Sequence, residues 1–433
     1  MRRLLVFVWV AIFCLIGGSV WADEISELKA LVRQLMEENR ALAKRVKALE
    51  KRLETYEAQT AQASQTARPV KVDRWYDRLN VGLSVASVVQ DVVDAERVDE
   101  NGNVLGHGDR GYAAVSLDLE FTADFGSQDR GLVLLEMGSG HNPEDEISSF
   151  SGIIDEALSM VPVETSEGDV RISEAWYEHD LPLGHARLRL RFGKIDITTD
   201  FDANEYANDE NTQFISPVFV NNIAVEWPAY ALGSMLWLET ENFDFGLGYA
   251  DADGQWDDIL DYPFFIAQVT ARPRILGYPG NYRFYIWYNG DKHTEILGQD
   301  TDETGYGFGI SFDQKMGEYF GVFLRYGWQD EEIYPYDQAL SFGLSIGGNP
   351  WGRPQDVFAL GFGIAFLSED YKDRLEKIEG ANAEDEYHLE AYYRFEINDS
   401  FALTPDFQWT DNPSGYEDRD DFWVFTVRGT WEF

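Results

Sequence analysis

The sequence predicts an all-β fold, a 16-stranded antiparallel transmembrane β-barrel, preceded by an α-helical coiled coil. Three observations predict it. The final residues alternate, with Trp423, Phe425, Val427, Gly429, Trp431 and Phe433 on one face. A strand of period two that ends on an aromatic must close on another strand, because an open edge cannot sit in lipid. Alternating segments of this kind recur from residue 74 onward and number sixteen, an even count as single-chain bacterial barrels require. Before them, Ile25, Leu28, Val32, Leu35, Asn39, Leu42, Val46, Leu49, Leu53 and Tyr56 recur at alternating steps of three and four, the signature of a heptad.

Residues 1–22 read as an export signal. Arg2 and Arg3 precede an apolar run from Leu4 to Ile16, and Val20-Trp21-Ala22 is a small-residue pattern suited to cleavage. The run is short for a bilayer span, and no later segment approaches 18 apolar residues, so membrane crossing falls to strands. Cys14 is the only cysteine. It lies in the leader, so the mature chain is expected to have neither disulfide nor thiolate chemistry.

Residues 23–57 form the coiled coil, with β-branched or polar a positions and Leu at d. Glu24 and Lys29, Arg45 and Glu50, and Arg52 and Glu57 set opposite charges at g and the following e. This favours a parallel, in-register partner, so a homo-oligomer is expected. Asn39 at an a position leans towards a dimer, and a trimer is the alternative. The helix would extend roughly 50 Å at ~1.5 Å per residue, a spacer suited to cell-wall contact. Residues 58–73, rich in Ala, Gln, Ser and Thr, read as a flexible linker.

The barrel, residues 74–433, has strands expected near 79–90, 111–125, 129–138, 170–181, 186–195, 231–239, 242–251, 264–273, 281–290, 305–314, 319–329, 338–348, 356–366, 386–397, 401–410 and 422–433. Links after even strands are short, as at Gly126 to Gln128, Pro182 to His185, Lys315 to Glu318 and Asp399 to Ser400. Those after odd strands are long. That asymmetry distinguishes periplasmic turns from extracellular loops, and a soluble sandwich has no reason to keep it. Abundant aromatics suit interface girdles. Sixteen strands leave an aqueous channel rather than a filled core.

The formal charge is −42. The coiled coil balances eight basic against eight acidic side chains, so the acidity belongs to the barrel and its loops. Acidic clusters at 91–100, 144–156, 200–210, 300–303 and 417–421 fall in the expected extracellular loops. Such a field attracts cations, repels anions and excludes nucleic acid as a partner. Calcium bridging to lipopolysaccharide is compatible with it, but no spacing matches a dedicated calcium loop.

The hairpin Val170 to Ile195 is the most informative internal stretch. Ile172, Glu174, Trp176 and Glu178 are expected on one face, and Arg187, Arg189 and Arg191 stand opposite Leu188, Leu190 and Phe192. With a turn centred between Leu183 and Gly184, Glu178 would face Arg189 and Trp176 would face Arg191. Leucines belong in lipid, so the charged ladder belongs in the lumen. Charged donors and acceptors beside an indole suit polyhydroxylated solutes; the alternative is a wall network that stiffens the barrel. The following link, 196–230, is a candidate constriction through Asp196, Asp200, Asp202, Asn204 and Glu210. Alternation adds Arg283, Tyr285, Trp287, Phe323, Arg325, His388, Glu390, Arg394, Asp406 and Gln408 as lumen-facing, and Lys194 closes the ladder.

These words, Glu174-Ala-Trp-Tyr-Glu178, Arg189-Leu-Arg-Phe-Gly-Lys-Ile-Asp196, Asn349-Pro-Trp-Gly-Arg-Pro354, Asp370-Tyr371, Tyr392-Tyr-Arg394, Leu403-Thr-Pro-Asp-Phe-Gln408 and Asn412-Pro413, resemble the carbohydrate-selective porin family, OprB-like porins of Gram-negative outer membranes. The resemblance implies passive uptake of small sugar solutes through a 16-stranded barrel, with no catalytic residue, metal or cofactor. The coiled coil and the heavy acidity depart from the simplest members. They leave open a siderophore or iron-uptake porin, a general cation-preferring porin, or a structural protein coupling outer membrane to cell wall.

Overall fold

The structure, a computed structural model, describes residues 75–98, 104–159, 170–256, 259–298 and 301–433. The leader, the heptads and the linker lie outside the described residues.

Sixteen strands make the wall: β1 Leu79–Val93, β2 Arg110–Asp124, β3 Asp129–Gly140, β4 Val170–Leu183, β5 Ala186–Ile195, β6 Ala231–Glu239, β7 Phe243–Asp251, β8 Pro263–Ala271, β9 Tyr278–His293, β10 Glu303–Lys315, β11 Phe320–Gln329, β12 Tyr336–Gly347, β13 Val357–Leu367, β14 Glu386–Asn398, β15 Phe401–Asp411 and β16 Phe422–Glu432. Each pairs antiparallel with its chain neighbours, and β16 returns to β1 in a register running from Ser84↔Glu432 to Val93↔Trp423. The last residue is stitched into that seam. Phe433 N–H donates to Leu83 O at 2.9 Å, and Leu83 N–H donates back at 3.2 Å. Closure leaves no unpaired edge, the condition for a sheet in hydrocarbon.

The count and order of strands match the alternation, with ends shifted by a few residues. The segment around 274–280, where the alternation suggested only a long turn, is a tight hairpin extension. Arg274 and Ile275 pair with Pro279 and Tyr278, and Leu276 and Gly277 both take positive φ, 53° and 86°. That is the geometry a two-residue turn needs to match strand twist. The asymmetry of links has one exception, since 348–356 is longer than 330–335 on the opposite rim. Asn349-Pro-Trp-Gly-Arg-Pro354 builds this turn. Asp356 accepts from Tyr393 Oη at 2.8 Å, from Glu396 N–H at 3.1 Å and from the Arg353 guanidinium, and Trp351 Nε1 donates to Tyr393 Oη at 2.6 Å.

Outward positions are exposed and apolar, among them Val89, Phe192, Phe245, Leu247, Phe265, Phe284, Ile286 and Phe425, the surface that lipid covers. The inside departs from the expected open channel. Link 196–230 runs within the barrel, and its Phe201, Phe214 and Phe219 pack on inward Trp237, Phe264, Tyr285, Phe323 and Tyr392 of the wall. The side of the barrel nearest β6–β14 is therefore a packed core, held by apolar burial.

Candidate functional site

The β4–β5 hairpin turns at Gly184 and His185, with Gly184 at φ 69°. This centre lies one residue later than expected, so the pairing moves by two. Glu178 faces Arg191, Asp180 faces Arg189 and Trp176 faces Gly193. Because the side-chain period is two, the shift preserves which face each residue occupies. Ile172 is the other correction. A bulge between Leu134/Glu174 and Leu135/Ile172 turns Ser173 inward, fully buried, and leaves Ile172 outward and exposed, out of step with Glu174.

The ladder is a closed network. Glu178, 1% exposed, accepts from Arg191 Nε at 2.9 Å, from Arg189 Nη1 at 3.3 Å and from Arg130. Arg189 also donates to Asp200 at 2.7 Å and to Glu239 at 3.0 Å, and Arg191 pairs with Asp200 at 2.9 Å. The Arg191 guanidinium lies over the Trp176 ring, 4.2 Å from its centroid. Trp176 Nε1 donates to Glu174 Oε2 at 2.9 Å, and the same oxygen accepts Asp196 N–H at 3.2 Å. Glu174 thus holds the first residue of the inward loop and the arginine pair holds Asp200. Arg187 pairs with Asp180 and Glu239 at the solvent-exposed turn end. Lys194 falls out of step with the arginines and donates to Ile172 O at 2.8 Å.

Further along, the loop is tied to the wall. Asp202 is fully buried, accepts Tyr285 Oη–H at 2.9 Å and Asn222 N–H at 2.8 Å, and pairs with Arg325 Nε at 2.9 Å. Arg325, 1% exposed, donates to Phe219 O at 2.6 Å and Asp202 O at 3.0 Å. Asn204 donates to Ser311 and Phe312 O. Asp202 and Arg325 therefore face each other rather than open water, and Trp287 is buried against Phe264. Arg283 pairs with Asp313 at 2.6 Å and Arg394 with Glu396.

On β14, Glu386, His388 and Glu390 point inward and are fully buried. Glu390 accepts Ile215 N–H at 2.7 Å and Ser216 N–H at 3.0 Å. Glu386 accepts N–H groups of Phe150, Ser151 and Ser414 at 2.9, 2.7 and 2.7 Å. Asp406 is buried beside Glu390 and Arg428, and Arg428 donates to the carbonyls of Glu210 and Gln213. Of these, Glu386 and Arg428 did not emerge from the sequence, although alternation from the outward Phe425 and Val427 places Arg428 inside.

Ile154, Leu158 and Ile215 cover Ala86 and Val88 on the inner face of β1, and the loop leaves parts of the inner faces of β2–β4 open. Glu120 is exposed there, the Arg130 side chain is 49% exposed and that of Arg171 is 34% exposed. Arg171 pairs with Glu136 at 2.9 Å and lies over Tyr230, 5.3 Å from its centroid. Across from them come carboxylates of the loops. Burial and its neighbours Asp155 and Asp209 push the Glu210 carboxyl well above its ordinary range. Burial raises Asp196 as well, with Glu136 adding to it and the Thr198 donors opposing it. Arg171 of the wall and the loop carboxyls Asp196 and Glu210 thus gather around Tyr230, whereas the Arg130 guanidinium is paired with Glu178 of the wall.

A model of the carbohydrate-selective porin, OprB family matches residues 152–433. An uncharacterised protein of Aquifex aeolicus strain VF5 is 27% identical over 221 residues, which are 51% of this chain and 58% of that protein, so the match spans little more than half of that relative's length. Among solved structures, the high-pH form of Pseudomonas putida OprB covers 82% of this chain and 94% of its own, at 17% identity and a TM-score of 0.69. The low-pH form covers 82% and 93%, at 15% identity and a TM-score of 0.52. At such identities the likeness is one of fold, a closed 16-stranded porin barrel.

Proposed function

The chain belongs to the carbohydrate-selective porin, OprB family, and we propose that it forms a water-filled channel for passive, selective diffusion of small carbohydrates across the outer membrane of a Gram-negative bacterium. The observation that carries this reading is the uncovered strip along β2–β4, where Arg130 is half exposed beside Glu178 and Arg171 stands with the loop carboxyls Asp196 and Glu210 around Tyr230. Paired charged donors and acceptors at fixed positions hydrogen-bond to hydroxyls that water would otherwise satisfy. Glu174, Trp176, Glu178, Arg189, Arg191, Asp196 and Asp200 shape this strip by holding the loop, whereas Lys194 ties β5 to Ile172 of β4 instead. Most of their own hydrogen-bonding capacity is taken, so their part is positioning, with the edge of Trp176 left for solute. Asp202, Arg283, Trp287, Arg325, Glu390, Arg394 and Asp406 brace the far side, and Arg187 lines the mouth by the short turn.

In this proposal residues 23–57 lie in the periplasm as a coiled coil that joins copies of the chain and reaches towards the cell wall. Liposome swelling with the purified protein tests the channel. Neutral hexoses are expected to enter faster than size-matched zwitterions, and swelling no faster than in protein-free liposomes would defeat the proposal.

A second reading is favoured by one observation, the formal charge of −42. A general cation-preferring porin would pass potassium without retarding or being blocked by sugars.

A further inference from the structure

Link 196–230 does not fill its side of the lumen completely. Between residues 205–213 of the link and the inner faces of β10–β14 lies a cavity of about 360 Å³, across the barrel from the strip along β2–β4. Lys315 ends β10, Phe320 begins β11, Gly347 ends β12 and Val357 begins β13, and all four line the cavity, which places it at the rim of the short turns. Small inward residues make the room, namely Gly321, Ser345 and Gly347. A Cβ added at Gly321 would run into the Tyr206 ring, so the ring lies directly on the backbone of the wall. At Gly347 an added Cβ would meet nothing nearer than Tyr319 O at 3.9 Å. The lining holds more hydrogen-bonding groups than partners. Among the described residues, the hydroxyls of Tyr206, Ser345 and Tyr392, the Lys315 ammonium and the Glu205 carboxylate take part in no hydrogen bond or ion pair. Arg394 Nε is buried without an acceptor. Polar groups inside a protein ordinarily find partners, so six left over around one hollow are donors and acceptors for an occupant.

We propose that this cavity is a second carbohydrate site, for a neutral monosaccharide, entered from the rim of the short turns and separate from the strip along β2–β4. The identity of the occupant rests on the carbohydrate-channel reading; the existence of the site rests on the geometry. The rings of Tyr206 and Tyr392 offer the apolar surface that the C–H face of a sugar needs, and the unpartnered groups offer donors and acceptors to its hydroxyls. Acids and bases are mixed in the lining, Glu205 and Glu318 with Lys315 and Arg394, so neither sign dominates and a neutral occupant is favoured over an ion. The volume falls at the lower end of the ~300–1,000 Å³ of small-molecule sites, which suits one sugar ring rather than a chain of them. Glu205, Glu318 and Tyr319 are exposed and mark the mouth. A sugar bound there bridges Glu205 and Tyr206 of the link to Ser345 and Arg394 of the wall, so occupancy also fastens the inward loop.

The chain's only cysteine is Cys14, within the segment read as the leader, so single cysteines report cleanly. Ser345→Cys and Gly347→Cys place a thiol in the cavity, and Met316→Cys, on the exposed turn beside its mouth, is the control. Each is made in the full chain, checked for the heat-dependent gel shift of a folded barrel, and timed for modification by a small methanethiosulfonate. Glucose should slow labelling of Ser345→Cys and Gly347→Cys saturably, by roughly tenfold at about ten times its half-protecting concentration. Met316→Cys should react at an unchanged rate, and raffinose, a trisaccharide too large for the cavity, should protect no position. Adding Tyr206→Ala should raise the half-protecting concentration of glucose. No slowing by glucose at either cavity position, equal slowing by raffinose, or cavity thiols that stay unmodified without sugar would each overturn the proposal. Liposome swelling keeps the two readings apart. Hexose uptake without protection removes the site and leaves the channel, and protection without uptake leaves the site and removes the channel.

Discussion

Arg325 on β11 and Asp202 in the inward loop form an ion pair at 2.9 Å, with side chains 1% and 0% exposed. Removing one partner leaves a buried charge without its counterion, which costs about 3–5 kcal/mol. Arg325→Ala is therefore expected to loosen the loop from the wall, raise single-channel conductance and lower the temperature of the gel shift. Conductance and gel-shift temperature equal to those of the unaltered protein would show that the pair does not hold the loop.

The stack of Arg191 on Trp176 changes what the tryptophan can do. A ring face covered by a guanidinium is a positioning element, so Trp176→Phe should keep most of the sugar selectivity whereas Trp176→Ala should reduce it. Arg189→Ala takes one of two arginine partners from both Asp200 and Glu239, which keep Arg191 and Arg187, and should weaken sugar block more than Trp176→Ala does. Titrating current block with a neutral hexose in each variant ranks them.

Acidification should remove cation preference early. The Glu210 and Asp196 carboxyls are raised by burial, Glu210 also by its acidic neighbours. They take up protons at a pH where ordinary carboxyls are still charged. Reversal potentials in a potassium chloride gradient should therefore move towards zero on acidification before the pH reaches the range in which ordinary carboxyls titrate. Glu210→Gln should show a smaller change over the same interval.

Glu386 gathers backbone N–H groups from two loops and the hydroxyl of Ser149 at 3.0 Å. Glu386→Ala strands those donors, at about 1–3 kcal/mol for each one left buried and unpaired. Protease added to whole cells should then cut within 141–159 or 412–421 faster than in the unaltered protein, while residues 23–73 keep their cleavage rate.

What was readable in the sequence follows range. The alternation of Arg187, Arg189 and Arg191 with Leu188, Leu190 and Phe192 is local, so both the face of each residue and the number of strands came from period two. The partner of Glu178 depends on turn type. Gly184 takes the first turn position with positive φ, and the hairpin slides by two residues relative to the simplest count. The filled half of the lumen was out of reach for another reason. Phe201, Phe214 and Phe219 sit in an aperiodic loop, and only folding brings them against Tyr285, Phe323 and Tyr392. The same holds for Asp202, which reads as an acid for the constriction and is consumed by Arg325. The bulge at Ser173 leaves no signature in a pattern of alternating residues, because one inserted residue reverses the faces beyond it.

The most direct measurement of the central claim is single-channel recording with rising concentrations of a neutral hexose on the side of the long loops. A carbohydrate-selective passage predicts saturable, concentration-dependent block of the potassium current, weakened in Arg171→Ala and in Arg130→Ala. A current untouched by hexose in the unaltered protein, with potassium preferred over chloride, would contradict it and leave a general cation-preferring porin.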